Sequence, residues 1–220
     1  MHQHVLYEGR PEFVFPLLLA NGVTGVRDMH IFAPHPLERL AQVRREIAEG
    51  KMLGPRIVSG GLIVDGPIAS VPDHGFLTVS TTAEARQVVD SERQAGVDFI
   101  KVYNRLPRDV YFAIADEAKR QAIPFAGHVP SSVTAAEASD AGQKSIEHLT
   151  LVPAACSGEE TAPVMSPTDT AAFDRLRDTD LTPDKRLRAR WRRLLASTMR
   201  DAAKRSSGTS FGTGRGRRPT

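Results

Sequence analysis

Five residues of this 220-residue chain combine type and spacing in a way that could do chemistry. They are His2 and His4 in "MHQHVLYEG", Lys101 in "FIKVY", His128 closing "PFAGHV" and His148 closing "SIEH". Residues i and i+2 of an extended segment project to one side, so two histidines so spaced can grip one metal ion. On a helix the same pair would diverge. Lys101, His128 and His148 each fall at or near the C-terminal end of a short apolar run. Where parallel strand ends converge, functional groups gather. Each residue also has a plain structural reading. A strand-end histidine can be a hydrogen-bonded polar group, a lysine between Ile100 and Val102 can snorkel to a rim, and the His pair can be an N-terminal accident or the scar of a tag.

The elements that would position these residues alternate along the chain. "GVTGVRDM" (Gly22 to Met29) reads as a strand, and "PLERLAQVRREIAEG" as a helix with Leu37, Leu40, Val43 and Ile47 at helical spacing, opened by Pro36 and stopped by Gly50. "RIVSGGLIV" (Arg56 to Val64) reads as a second strand, running into a Gly/Pro-rich loop through Gly75. "TTAEARQVVDSERQAG" reads as a helix capped by Thr82 and ended by Gly96, and "VDFIKVYN" as a strand. A helix opened by Pro107, the strand "PFAGHV", the helix "SSVTAAEASDAG" and a last strand "KSIEHLT" complete the series. Strands alternating with helices of this length predict right-handed βαβ units and a parallel sheet, either doubly wound or barrel-like. No Gly-x-Gly-x-x-Gly turn follows the first strand, which counts against dinucleotide binding.

Beyond Thr150 the rhythm fails. "LVPAACSGEETAPVMSPTDT" reads as a loop, and the stretch after it as one or two helices with Leu187, Trp191, Leu194, Leu195 and Met199 on one stripe. The Gly/Ser/Arg-rich end, residues 206–220, lacks a hydrophobic pattern and is expected to be disordered, leaving residues 1–205 as one domain. Charge divides in the same way. From Asp184 onward there are 12 Lys and Arg against two Asp, whereas the rest of the chain holds 17 basic and 24 acidic residues. The basic end has few aromatics and no nucleic-acid-binding motif, so a solvated segment is expected rather than a specific nucleic-acid partner. The lone Cys156 excludes an internal disulfide and suits a reducing, cytoplasmic setting. No apolar run approaches the ~20 residues of a membrane span, and as the chain is written a cytoplasmic protein without a signal peptide is expected.

The set "HQH", "GVTGVRDM", "GPRIVSGG", "GVDFIKVY", "AGHV" and "AGQKSIEH", taken in this order over roughly residues 1 to 150, resembles the amidohydrolase superfamily, in particular its imidazolonepropionase-like and Xaa-Pro-dipeptidase-like members. The resemblance implies a (β/α)8 TIM-type barrel with a divalent metal centre, usually zinc, of one or two ions. By position, His2 and His4 would match the pair that binds the first metal. Lys101 would match a lysine that is carbamylated and bridges two metals, and His128 and His148 the ligands of the second. The implied chemistry is hydrolysis of an amide, cyclic amide or peptide-like C–N bond in a small-molecule or peptide-like substrate, with Lys101 and His148 at the reaction centre. His74 in "VPDHGFL" and Tyr103, two residues past Lys101, would face the substrate, while His30 and His35 are expected at the surface or rim.

The departures are equally specific. The family's strand-eight aspartate, a metal ligand and general base in a Gly-Thr-Asp turn, has no counterpart: the last acidic residue is Asp201, in the helical "MRDAAKR". A whole barrel takes about 250 residues, and "MHQH" begins where a first strand would end. The expectation is an incomplete barrel of about strands 2–6 with their helices, as from a truncated or frame-shifted gene. Its open edges would invite pairing with another copy of the chain. Such a chain would be impaired as a hydrolase. The alternative is a non-catalytic fragment that serves as a binding or interaction module.

Overall fold

The structure, a computed structural model, describes residues 2–6, 10–31, 35–68, 70, 75–149 and 152–157. It is an α/β arrangement of parallel strands and helices. β1 (His2–Gln3), β2 (Gly25–Asp28) and β3 (Arg56–Ser59) form one sheet in that order. β4 (Ile63–Asp65), β5 (Leu77–Thr78), β6 (Ile100–Val102) and β7 (Phe125–Gly127) form a second, in the order β5-β4-β6-β7. Every strand pairing is parallel. The helices are α1 (Pro11–Ala20), α2 (Pro36–Ala48), α3 (Thr82–Gln94), α4 (Arg108–Arg120), α5 (Ala135–Asp140) and α6 (Val152–Ser157).

Alternation along the strands decides what faces what. Val26 and Ile57 pack outward with Phe15, Leu40 and Val43 of α1 and α2. Ile100, Val102 and Phe125 pack outward with Val89 of α3 and Ile114 of α4. The residues between them face the other way. Met29, Phe99 and Ala126, joined by Val58, make a small inner cluster that draws on strands of both sheets. Lys101 follows Phe99 by two residues and His128 follows Ala126 by two, so both continue the inner face toward the C-terminal strand ends. Two capping boxes, Thr81 with Glu84 and Thr134 with Glu137, fix the starts of α3 and α5.

Several elements differ from the sequence reading. The cap of α3 is Thr81 rather than Thr82, because Thr81 is extended and its side chain accepts from the Glu84 amide. "RIVSGGLIV" is not one strand: it breaks after Ser59 and resumes at Ile63 in the other sheet. Gly60 and Gly61 make the break. A Cβ on Gly60 would lie 2.6 Å from the Phe99 ring, and Gly61 has φ +65. "KSIEHLT" is not a strand either. It makes a single parallel bridge, Ile146 to Gly127, and then a 3₁₀ turn over Glu147–Leu149 in which His148 (φ 60) and Leu149 (φ 54) are left-handed. A segment read as loop contains α6. The sequence pattern also passed over α1, which carries Pro16 inside it and exposes Phe13 and Leu17 while burying Phe15. The stripe around Trp191, Asp201 and the 206–220 tail lie outside the described residues, as does the boundary at 205.

Candidate functional site

β1 is only two residues long, yet its register sets the site: His2 pairs with Arg27 and Gln3 with Asp28. From that strand end the rings of His2 and His4 turn toward one another, with Nε2 to Nε2 at 3.1 Å. The second sheet brings up the others. Lys101 lies within β6 and is 1% exposed. His128 follows β7 directly, and His148 sits in the turn after the Ile146 bridge. Ring centroids are 4.9 Å apart for His2 and His148, and 5.0 Å for His128 and His148. Tyr103 lies against His128 at 4.2 Å and against Phe76 at 5.3 Å, and the Lys101 ammonium is 6.0 Å from the Tyr103 ring centre.

The structure thus brings His2, His4, His128, His148, Lys101 and Tyr103 into one neighbourhood. His74 lies outside the described residues. His35 is exposed at the start of α2, as expected of a rim residue. His30 is not: it is buried, with its ring edge-on to Phe76 at 5.4 Å, because the loop after β2 turns inward rather than out. A cavity of about 430 Å³, lined by Lys119, Phe125 and Lys144 among others, lies at the opposite, N-terminal end of β7.

Four residues that the sequence reading did not single out hold the rings in place. Glu147 Oε2 accepts from His2 Nδ1 at 2.6 Å, and Oε1 accepts from Arg27 Nη2 at 3.0 Å and from Ser145 Oγ at 2.6 Å. Asn104 Oδ1 accepts from His128 Nδ1 at 2.8 Å. All four stood within or beside the quoted motifs. The signal was a polar residue inside an apolar strand motif, as with Arg27 in "GVTGVRDM" and Glu147 in "SIEH".

The electrostatics favour electron-pair donors. Desolvation lowers His128 to about 3 and His4 to about 4, with neighbouring positive groups adding to the effect, and it lowers His2 as well, against the pull of Glu147. Burial lowers Lys101 to about 8, with the Glu147 carboxylate opposing and Arg27 assisting. Burial would raise Glu147, but bonds from Ser145 and His2 and the charge of Arg27 hold it at about 2. Burial also pushes Asp28 up to about 7, against the N–H groups of Val5, His30 and Leu6, and neither of its oxygens reaches hydrogen-bonding geometry.

These residues suit a divalent metal in kind: imidazoles, of which His2, His4 and His128 are held toward the neutral form, with a carboxylate and an amide oxygen holding two of the Nδ1 atoms. The His2–His4 spacing suits one as well. Two nitrogens ~2.05 Å from a tetrahedral zinc stand about 3.4 Å apart, close to the 3.1 Å found. As the side chains stand, the described residues contain no convergent group of three or more His, Cys, Asp or Glu that could hold a metal ion. The cluster is therefore a chelating pair flanked by two further rings rather than a closed cage.

Solved structures share this architecture. With one described as "AH, Bottromycin amidohydrolase" the chain is 33% identical at a TM-score of 0.53, over 61% of this chain and 29% of that one. With a prolidase complexed with N-methylphosphonate-L-proline it is 22% identical at a TM-score of 0.54, over 71% of this chain and 48% of that one, a likeness of fold. The chain spans less than half the length of either. No protein-family model matches the chain. No curated protein matches it. Structure neighbours of the chain, the 33%-identical amidohydrolase among them, are amidohydrolase-superfamily members, matched over only part of this chain.

Proposed function

We propose that the chain carries the metal-binding wall of a (β/α)8 barrel hydrolase acting on a C–N bond of a small-molecule or peptide-like substrate. The observation that carries this is the meeting of four histidine rings and a buried lysine at the C-terminal ends of parallel strands. The two neighbours, one described as an amidohydrolase and one as a prolidase bound to a proline phosphonate, support a substrate of the amide or peptide class.

His2 and His4 would hold one divalent ion, most simply zinc, through their facing Nε2 atoms. Lys101, His128 and His148 would hold a second. Lys101 suits this role only as its carbamate, an anionic oxygen donor, since a free ammonium repels a dication. With its pKa near 8, about a tenth of the amine is uncharged at pH 7 and able to add to CO2, releasing a proton as the carbamate forms. A bound divalent metal supplies Lewis acidity to a carbonyl and lowers the pKa of water toward neutrality. Tyr103, lying on His128, would shield that ring from bulk water and offer a face to the substrate. The general base that the family takes from its eighth strand has no candidate among the described residues, so turnover by this chain is expected to be weak.

Metal analysis of the purified full chain tests the reading. About one or two zinc ions per chain are expected, with the content falling sharply in Lys101→Ala and His128→Ala. A folded wild type that takes up no zinc, manganese or cobalt would overturn it.

A further inference from the structure

Glu147 and His148 are consecutive, and consecutive residues of a strand face opposite sides of a sheet. Had "SIEH" continued as a strand, only one of the two could have reached the site. The 3₁₀ turn with its left-handed His148 changes this. His2 is met by both: its Nδ1 lies 2.6 Å from Glu147 Oε2, and its ring lies 4.9 Å from that of His148. A non-glycine residue at φ 60 is held against a backbone preference, and such strain gathers where geometry is needed for function.

Glu147 is itself fully engaged. It is 5% exposed; Arg27 Nη2 and Ser145 Oγ both donate to its Oε1, and Arg27 Nη1 donates to Ser145 Oγ at 2.8 Å. The small ring formed by Arg27, Ser145 and Glu147 leaves Oε2 as the oxygen aimed at His2. An Nδ1–H that donates to a carboxylate fixes the imidazole as that tautomer and leaves the lone pair on Nε2. Nε2 is the His2 atom that faces His4.

We propose that Glu147, clamped by Arg27 and Ser145, is a positioning residue of the metal centre: it sets the tautomer of His2 and aims His2 Nε2, with His4, at one divalent cation. This rests on the metal-dependent reading above. Glu147→Gln cannot reproduce the arrangement. If its amide oxygen takes the His2 proton, its NH2 group confronts Arg27, which has no acceptor. If the amide turns over, the NH2 group faces His2 Nδ1 and drives the proton to Nε2, the nitrogen needed for the metal.

Cobalt(II) titration of the metal-free full chain, followed by its absorption spectrum, provides one readout, and ¹⁵N NMR of histidine-labelled protein, with the His2 signals assigned by their loss in His2→Ala, provides a second that needs no metal. Wild type is expected to show His2 as the neutral Nδ1–H tautomer at neutral pH and to bind cobalt. Glu147→Gln is expected to bind about 10- to 100-fold more weakly, with an altered spectrum and a shifted His2 tautomer. Ser145→Ala, which removes only a partner of Glu147, is expected to move both readouts in the same direction by less. Should Glu147→Gln fail to fold, Ser145→Ala and the wild-type tautomer decide. Wild-type His2 found as Nε2–H or as imidazolium overturns the proposal. So does cobalt affinity unchanged in Glu147→Gln, and that result leaves the metal reading intact. A wild type that binds neither cobalt nor zinc nor manganese overturns the metal reading, and with it the role given to Glu147.

Discussion

Lys101 stands in a strand between Ile100 and Val102 and is almost wholly enclosed, so replacing it should make the metal-free protein more stable. The magnitude follows from its pKa. Burial lowers Lys101 from 10.5 to about 8, and at ~1.4 kcal/mol per unit, holding the charged form inside costs about 3 kcal/mol. For a base with a depressed folded pKa the sign is fixed. Below pH 8 both folded and unfolded chains carry the proton, and the cost is felt in full. Between pH 8 and 10.5 the folded state has released it while the unfolded state keeps it, so stability rises with pH through that window. Lys101→Met keeps the length of the chain and removes the charge. With chelator-treated protein in urea, the variant should gain about 3 kcal/mol at pH 7, and this advantage should shrink toward zero by about pH 10.5. In a chain of this size that gain is of order 10 °C in Tm. The variant should also lose the metal that depends on Lys101. A variant less stable than wild type at pH 7, or an advantage that does not change with pH, would refute the reasoning.

Two further perturbations separate architecture from site. Burial raises Glu92 to about 7 while the Leu62 amide pulls the other way, so the folded state keeps a proton that the unfolded chain loses from about pH 4.5. Stability should therefore fall by about 3 kcal/mol as pH rises from 4.5 to 7, and Glu92→Gln should flatten that slope in a pH series of urea melts. Gly127 has φ +140, and an added Cβ would lie 2.1 Å from the Val102 carbonyl oxygen. Gly127→Ala should part β6 from β7, cost at least about 3 kcal/mol in denaturant melts and weaken metal uptake through His128, the next residue. Gly96→Ala, at φ +80 with nothing within 4 Å, should cost only about 1 kcal/mol and leave uptake unchanged.

The alternation of strands and helices from β2 to α5 was legible because each helix carries its own signals. Pro36 opens α2, a threonine one residue from the read position caps α3, Pro107 opens α4, and glycine follows α2 and α3. Those signals are local, and so survive in the sequence. The break in "RIVSGGLIV" was not legible, because it depends on Phe99, 39 residues further along the chain, lying where a Gly60 Cβ would be. α1 was hidden by Pro16, which argues against a helix unless the surrounding structure compensates, and here Phe15 is sunk in the core beside Val26 and Leu40.

The site divides along the same line. Histidines and a lysine interrupting apolar runs break the local pattern, and each break is visible without a structure. What the sequence does not display is which neighbour settles the chemistry of each break. Glu147 and Arg27 read as ordinary polar residues of two strands 120 positions apart, and only the pairing of β1 with β2 and the Gly127–Ile146 bridge draw them to one histidine. The left-handed turn at His148 is the extreme case: no composition rule calls for it, since histidine is not the residue that favours φ 60. The strain makes sense only when Glu147 and His148 are seen to reach the same ring from adjacent positions, which a regular strand forbids. A sequence can thus reveal residues that contribute electron pairs, through their cost to the local pattern. The residues that orient those pairs, such as Arg27 and Glu147, also interrupt their motifs, but which histidine each one serves comes to light only through distances.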